Sequence, residues 1–394
     1  MSLLLQLTEK EPFKDKLVFG EAIERTVAVV KDCFYGDEDT AKRVAIVACE
    51  ADYLFIGKTL RDEVVSQGFL VEAFVLPDLS VDLSFLKDFK TVICLGSASY
   101  YGKLAVLSKK EGFKLINVAT SLIFADGFAG VFPSSMLKNE EGWVFKIVVD
   151  VNLLKKLKRK DLADGYAFCA ALALSWCEAL FFENFYNDRK DNTAKELLTS
   201  AYKTLRLITP ENIVGTIVVS ELYVAAALYN APYLLDCGGF RAGKILSNVS
   251  ASPLNECVFR LIAPLLLSVK GYLRLGAKNA TIAFFNDDVS RIAEILGCDE
   301  LSVYENCRLE SVSEISKKRK ELQDFDELKK EIDLSLKRYK KLLEGYDIVY
   351  KGRKSLAAFT QKQEKTALKL GGLSSAGLLK QLYDDGFLSV LEEI

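Results

Sequence analysis

The sequence predicts an α/β domain built on a parallel sheet, followed by a domain made of helices. Up to about residue 155, short β-branched runs alternate with amphipathic stretches, the pattern of strands joined by crossover helices. From Asp161 onward the apolar residues recur with a helical period instead. The length of 394 residues also exceeds what one hydrophobic core usually serves, which favours two domains of roughly 150 to 250 residues each. The boundary is expected at residues 155/156, giving domains 1–155 and 156–394.

In the first domain Arg43 to Cys49, Phe69 to Leu76, Thr91 to Leu95 and Lys114 to Val118 read as buried strands. Tyr53 to Ser66 and Tyr100 to Lys110 read as the helices between them. Trp143 to Val151 reads as a further strand, in a hairpin with Ala129 to Phe132. In the second domain, turn and capping clusters divide the helices near Asn187 to Asn192, Thr209 to Pro210, Gly238 to Gly239, Ser250 to Pro253 and Gly276 to Asn279. Tyr166 to Phe182 is nearly apolar but carries Glu178 and falls short of the roughly 20 residues a bilayer span needs, so it reads as a buried helix. Ser313 to Tyr346 is charged, with Ile315, Leu322, Phe325, Leu328, Ile332, Leu336, Tyr339 and Leu343 along one stripe. That stripe drifts off strict heptads, which favours a packed surface helix over a coiled coil.

Composition excludes several classes of function. Fifty-two basic residues against 54 acidic ones leave a formal charge of −2, so the chain as a whole lacks the electrostatic footprint of a nucleic-acid or membrane binder. Met1 to Leu7 is short, has no basic flank and runs straight into charged residues, unlike a signal peptide, so a cytoplasmic location is expected. Nine cysteines without a C-x-x-C pair read as reduced core residues. There is no histidine. The chain therefore lacks the commonest metal ligand and any side chain whose unperturbed pKa lies near neutrality, and catalysis would have to use carboxylates, Lys, Tyr, Cys or a cofactor.

The stretch Cys94-Leu95-Gly96-Ser97-Ala98-Ser99 places small residues between a strand and a helix, where backbone N–H groups can approach a phosphate closely. A tight turn without a ligand has the same composition. Here the chain begins to resemble the superfamily of dehydroquinate synthases, glycerol-1-phosphate dehydrogenases and iron- or zinc-dependent polyol dehydrogenases. Leu17-Val18-Phe19-Gly20-Glu21-Ala22-Ile23 looks like that family's opening strand, glycine turn and helix. Gly96-Ser97-Ala98-Ser99 stands where it carries a Gly-Gly-Gly-Ser pyrophosphate loop, with one glycine kept. The Asp and Lys that usually follow are Gly102 and Ala105 here. Ala119-Thr120-Ser121-Leu122, with Asp126-Gly127-Phe128 after it, resembles the Pro-Thr-Thr or Pro-Thr-Ser segment near the nicotinamide ribose and the substrate.

In the second domain Leu162-Ala163-Asp164-Gly165-Tyr166-Ala167-Phe168 looks like the start of the family's first inner helix. Gly239-Phe240-Arg241-Ala242-Gly243-Lys244-Ile245-Leu246-Ser247 resembles its Gly-His-x-x-Gly-His segment with both histidines replaced. Leu254-Asn255-Glu256-Cys257-Val258 resembles a later His-Gly-Glu motif without its histidine. The resemblance spans roughly residues 15 to 275.

On this resemblance the fold is dehydroquinate synthase-like, a Rossmann-like domain followed by a helical one. The implied NAD or NADP contacts are Gly96, Ser97, Ala98, Ser99, Thr120 and Ser121. Asp126 and Lys244 are the candidate catalytic residues, although a lysine on an apolar helix more often snorkels to solvent. Asp164 is a possible displaced acid. Tyr100 and Tyr101, and Glu221 and Glu256, are secondary candidates whose plainer roles are packing, capping or ion pairing. The metal-ligand positions hold Phe168, Phe240 or Lys244, and Leu254, so no divalent metal is expected. The implied function is a catalytically degenerate relative that binds a nucleotide or small phosphorylated metabolite in the cleft between the domains. The alternatives are a metal-free NAD(P)-dependent oxidoreductase acting on a polyol or glycerol phosphate, and a sugar-phosphate cyclase. Homo-oligomers are implied as well, with no nucleic-acid or membrane partner.

Overall fold

The computed structural model describes residues 12–36, 42–77, 81–96, 98–133, 139–186, 192–236, 240, 242–243, 246–247, 250, 252–274, 293–294 and 325–350. The chain divides into two compact units, residues 1–162 and 163–394.

The first unit is a parallel sheet with helices packed on it. Strands β1 (Leu17–Phe19), β2 (Arg43–Ala48), β3 (Leu70–Val75), β4 (Thr91–Leu95), β5 (Lys114–Val118) and β8 (Lys146–Val149) lie in the order β1-β8-β5-β4-β2-β3, every pair parallel. Val44 to Ala48 and all of β4 are buried, the continuous apolar run expected of strands covered on both faces. On one face Ile46, Ile93, Ile116 and Val148 pack with Val30 of helix α1 (Ala22–Cys33) and with Leu60 and Val64 of helix α3 (Lys58–Ser66). Helix α4 (Ala98–Glu111) follows β4, and its Tyr101 and Leu104 are fully buried. Asp150 secures the far side of the sheet. Its carboxylate accepts from Ala22 N at 3.0 Å, and from Asn152 N at 2.8 Å and Leu153 N at 3.1 Å, so one side chain caps both α1 and the short helix α5 (Val151–Leu154).

Two sequence expectations are corrected in this unit. The run from Trp143 to Val151 does not pair with Ala129 to Phe132. The hairpin is instead β6 (Val131–Pro133) with β7 (Asn139–Glu141), and β8 enters the main sheet in parallel between β1 and β5. Physically, Ile147, Val148 and Val149 are apolar on both faces, which suits an interior parallel strand better than a half-exposed hairpin arm. The helix expected from Tyr53 starts earlier and is irregular. It opens as α2 (Glu50–Asp52), widens into a π-helical turn over Tyr53–Gly57 and resumes as α3. Gly57 permits this course, because a Cβ there would lie 2.7 Å from Tyr53 Cδ2 and 2.8 Å from Leu95 Cδ1 at the end of β4.

Among the described residues the second unit contains helices and no strand. Helix α6 (Arg159–Tyr186) is buried almost all round from Ala163 to Cys177, as befits a central helix. Helix α7 (Asn192–Leu205) buries Ala194, Leu198, Ala201 and Leu205, one face at helical spacing. Helix α8 (Ile213–Asn230) is long and apolar enough to cross a membrane, yet 72% of it is buried inside the protein, as in a core helix. Helix α9 (Leu254–Arg274) follows. Helix α10 (Phe325–Tyr350) turns Leu328, Ile332, Tyr339, Leu342, Tyr346 and Val349 inward, so the described part of the charged stretch is a packed helix, with Leu336 and Leu343 of the expected stripe only half-buried and residues 313–324 outside the described residues. Cys33, Cys49, Cys94, Cys169, Cys177 and Cys257 are free thiols.

Candidate functional site

In an open parallel sheet, ligands bind beyond the carboxyl ends of the strands where the strand order reverses. Here the chain passes from β2 to β3 on one side and returns with β4 on the other, so the reversal lies between β2 and β4. Cys49 and Asp52 follow β2 directly, Gly96 follows β4, and Thr120 follows β5. The Cys49 thiol donates to Asp52 Oδ2 at 3.1 Å, and Thr120 lies near enough to act on the same carboxylate. Burial raises the Asp52 pKa and the nearby charge of Asp161 adds to that, whereas the bond from Cys49 and the nearby Thr120 counteract it. The Cys49 thiol is pushed up by burial as well, and Cys94 rises through burial and the neighbouring Asp52 charge. Cys49 and Asp52 were not singled out from the sequence. A signal exists, since they form the first polar turn after β2, but it gains meaning only once β2 is known to flank the reversal.

The loop after β4 has the backbone its small residues suggest. Gly96 has φ +149°, a conformation that side chains disfavour, and a Cβ there would meet the Tyr100 ring at 3.2 Å. Helix α4 begins at Ala98, so Ala98 and Ser99 belong to its first turn, while Ser97 lies outside the described residues. Helix α4 is 14 residues long, and the first N–H groups of a helix have no partner within it. Tyr100 donates from its hydroxyl to Leu76 O at 3.0 Å, and the fully buried Tyr101 ring packs 6.0 Å from Phe132, so both tyrosines have structural roles.

Thr120 and Ser121 lie in the loop after β5, each with its hydroxyl oxygen buried and without a hydrogen-bond partner. Asp126 lies on a 3-10 turn, Ala125–Phe128. It is partly exposed as a residue, yet its Oδ1 is sealed and without a hydrogen-bond partner. Burial drives its pKa up to about 7 against the opposing pull of the Gly127 N–H, its own N–H and the Tyr101 hydroxyl. Behind it, in the middle of β5, the amide of Asn117 is fully buried with neither atom hydrogen-bonded.

In the second unit the three positions implied as metal ligands offer hydrocarbon. Phe168 and Phe240 are each 3% exposed, and their rings pack edge to face with centroids 6.4 Å apart. Leu254 opens α9 and is half-buried. A Cβ on Gly243 would run into Val258 of α9, so the backbone at Gly243 is pressed close against that helix. A phenyl ring has no lone pair for a cation, and these three side chains do not fit a divalent metal. No group of three Cys, Asp or Glu residues able to hold a metal occurs among the described residues. Asp164 Oδ2 accepts from Asn255 Nδ2 at 3.2 Å. Burial raises the Glu256 pKa, with Tyr346 opposing it, and Glu221 is fully buried, accepting from the Cys169 thiol at 3.3 Å. These acids are tied into helix packing. Lys244 lies outside the described residues.

No protein-family model matches the chain, and no curated protein sequence matches it. Solved structures do share its fold. An alcohol dehydrogenase from an archaeal halo-thermophile of a Red Sea brine pool is 12% identical, with 94% of this chain and 96% of that one covered at a TM-score of 0.57. The NADH-dependent butanol dehydrogenase A of Thermotoga maritima is also 12% identical, with 95% and 96% covered and the same TM-score of 0.57. A structure from Escherichia coli K-12, of unknown function, is 12% identical with 94% and 96% covered at a TM-score of 0.50. The likeness is one of fold, an α/β unit followed by a helical one.

Proposed function

We propose that this chain is a dehydroquinate synthase- and glycerol dehydrogenase-like protein without the catalytic metal, and that it binds a nicotinamide nucleotide or a related phosphorylated metabolite. The observation that carries the binding half is the carboxyl edge of the sheet, where Gly96 and the start of α4 adjoin Asp52 at the strand reversal. The backbone of Gly96 to Ser99 would receive the pyrophosphate. Asp52 would accept from the ribose hydroxyls, which favours NAD over NADP because a 2′-phosphate would face a carboxylate. Cys49 donates to that carboxylate, and Thr120 and Ser121 follow β5 in the next loop along the same edge. The metal half rests on the Phe168–Phe240 packing. A bound nicotinamide would supply hydride chemistry, and without a metal to polarise the substrate oxygen, several kcal/mol of transition-state stabilisation are forgone. The protein is accordingly a binder rather than an efficient dehydrogenase, located in the cytoplasm and self-associating.

Isothermal titration with NAD⁺, NADH, NADP⁺ and NADPH in the presence of EDTA tests this. Saturable binding of an NAD form, weakened by Gly96→Val, is the expected result. No affinity for any of the four would remove the nicotinamide nucleotide reading.

One observation favours the active alternative. A carboxyl that titrates at about 7, as Asp126 does, can take or give a proton at neutral pH. In that reading Asp126 carries the proton of a metal-free oxidoreductase, with Lys244 supplying positive charge to the substrate. Reduction of NAD(P)⁺ by a polyol or polyol phosphate, unchanged by EDTA and lost in Asp126→Asn, would establish it.

A further inference from the structure

Five of the six residues from Lys155 to Lys160 are cations: Lys155, Lys156, Lys158, Arg159 and Lys160. The chain as a whole carries −2, so this is a local concentration of charge rather than a reflection of composition. Lys155, Lys156, Lys158 and Lys160 are exposed, whereas Leu153 and Leu154 just before them are buried. The segment leaves the carboxyl end of β8 through α5 and ends in the first turn of α6, with Asp161 N and Leu162 N bonded to Lys158 O at 3.0 and 3.1 Å. Three cations thus sit where a 28-residue helix presents the positive end of its dipole, with Asp161 the one acid in that turn. Among the described residues Lys156, Lys158 and Lys160 have no ion-pair partner. A bound anion would offset both the mutual repulsion and the dipole.

We infer that this patch is a second anion site, and that its ligand is a soluble oligophosphate. Four lysine ammonium groups are mobile point charges, which a compact anion carrying several phosphates can engage together. No aromatic residue occurs from Lys146 to Gly165 to stack on a base, which argues against a nucleic acid strand. Leu157 is half-buried and no exposed apolar side chain stands among the cations to enter a bilayer, which argues against a membrane surface. The inference does not rest on nicotinamide binding.

The test titrates inorganic tripolyphosphate into the full chain and into the triple variant K156Q/K158Q/K160Q, with K337Q/K340Q on the exposed face of α10 as a control. The wild type and the control bind, with affinity falling steeply as salt rises, and the triple variant binds roughly tenfold or more weakly. Tripolyphosphate also protects Lys156, Lys158 and Lys160 of the wild type from acetylation, read by mass spectrometry, which locates the site even if the variant misfolds. The triple variant keeps its affinity for nicotinamide nucleotides. Equal binding by wild type and triple variant, or no protection, overturns the inference. Binding to phosphatidylserine vesicles or single-stranded DNA that tripolyphosphate does not displace overturns it in favour of those partners. Loss of nicotinamide affinity in the triple variant overturns it by assigning the cations to the nucleotide site.

Discussion

Replacing Phe168 by alanine probes the packing on which the metal-free reading depends. The ring is 3% exposed and meets Phe240 edge to face. Truncating a phenylalanine so enclosed costs about 3–5 kcal/mol, of which roughly 0.5–1.5 kcal/mol belongs to the aromatic pair itself. A two-unit chain need not unfold in one step, so the probe must report on the second unit alone. Trp176 does so, being 5% exposed on the same helix as Phe168. The only other tryptophan, Trp143, lies in the first unit and can be replaced by phenylalanine in the background used. Urea unfolding followed by Trp176 fluorescence should show Phe168→Ala destabilised by at least about 3 kcal/mol, and a double-mutant cycle with Phe240→Ala should give a coupling of about 1 kcal/mol. A loss below about 1 kcal/mol would mean that position 168 borders open or hydrated space, and the reasoning from packing would fail.

Other perturbations follow from the same geometry. Gly57→Ala should destabilise by about 1–3 kcal/mol in thermal melts, because the new methyl group would press on Tyr53 and Leu95. Asn117→Leu should be neutral or stabilising by about 1 kcal/mol, since it removes a buried amide without partners, and a clear loss in the melt would reveal an ordered water there. The Asp126 carboxyl is raised in the folded state, so its contribution is fully present below its unfolded pKa and lost as pH rises towards about 7. The melting temperature of Asp126→Asn should therefore gain on the wild type between about pH 4 and pH 8, and parallel curves would contradict the burial of that carboxyl. Asp52→Asn should weaken NAD more than NADP in direct titrations, and equal effects would remove Asp52 from the ribose site.

Much of the first unit was legible because fully covered strands write themselves as unbroken apolar runs. Val44 to Ala48 and Thr91 to Leu95 could be read directly, and the turn at Gly96 with them. The partner of a strand is a tertiary choice, which is why the run from Trp143 to Val151 reads as a hairpin arm although its Lys146 to Val149 completes the parallel sheet. Asp52 was invisible for a related reason, since a polar residue at a helix start looks like any capping turn until strand order puts it beside the reversal. In the second unit, the residues at Phe168 and Phe240 could be named from the resemblance, but that the two rings pack against each other depends on helices distant in sequence.

Elemental analysis of the full-length protein, purified without chelator and then dialysed against zinc and iron, tests the central claim most directly. Phenyl rings and a leucine at the ligand positions predict a content of either metal far below one ion per chain. One tightly held transition ion per chain, lost together with thermal stability on chelation, would contradict it.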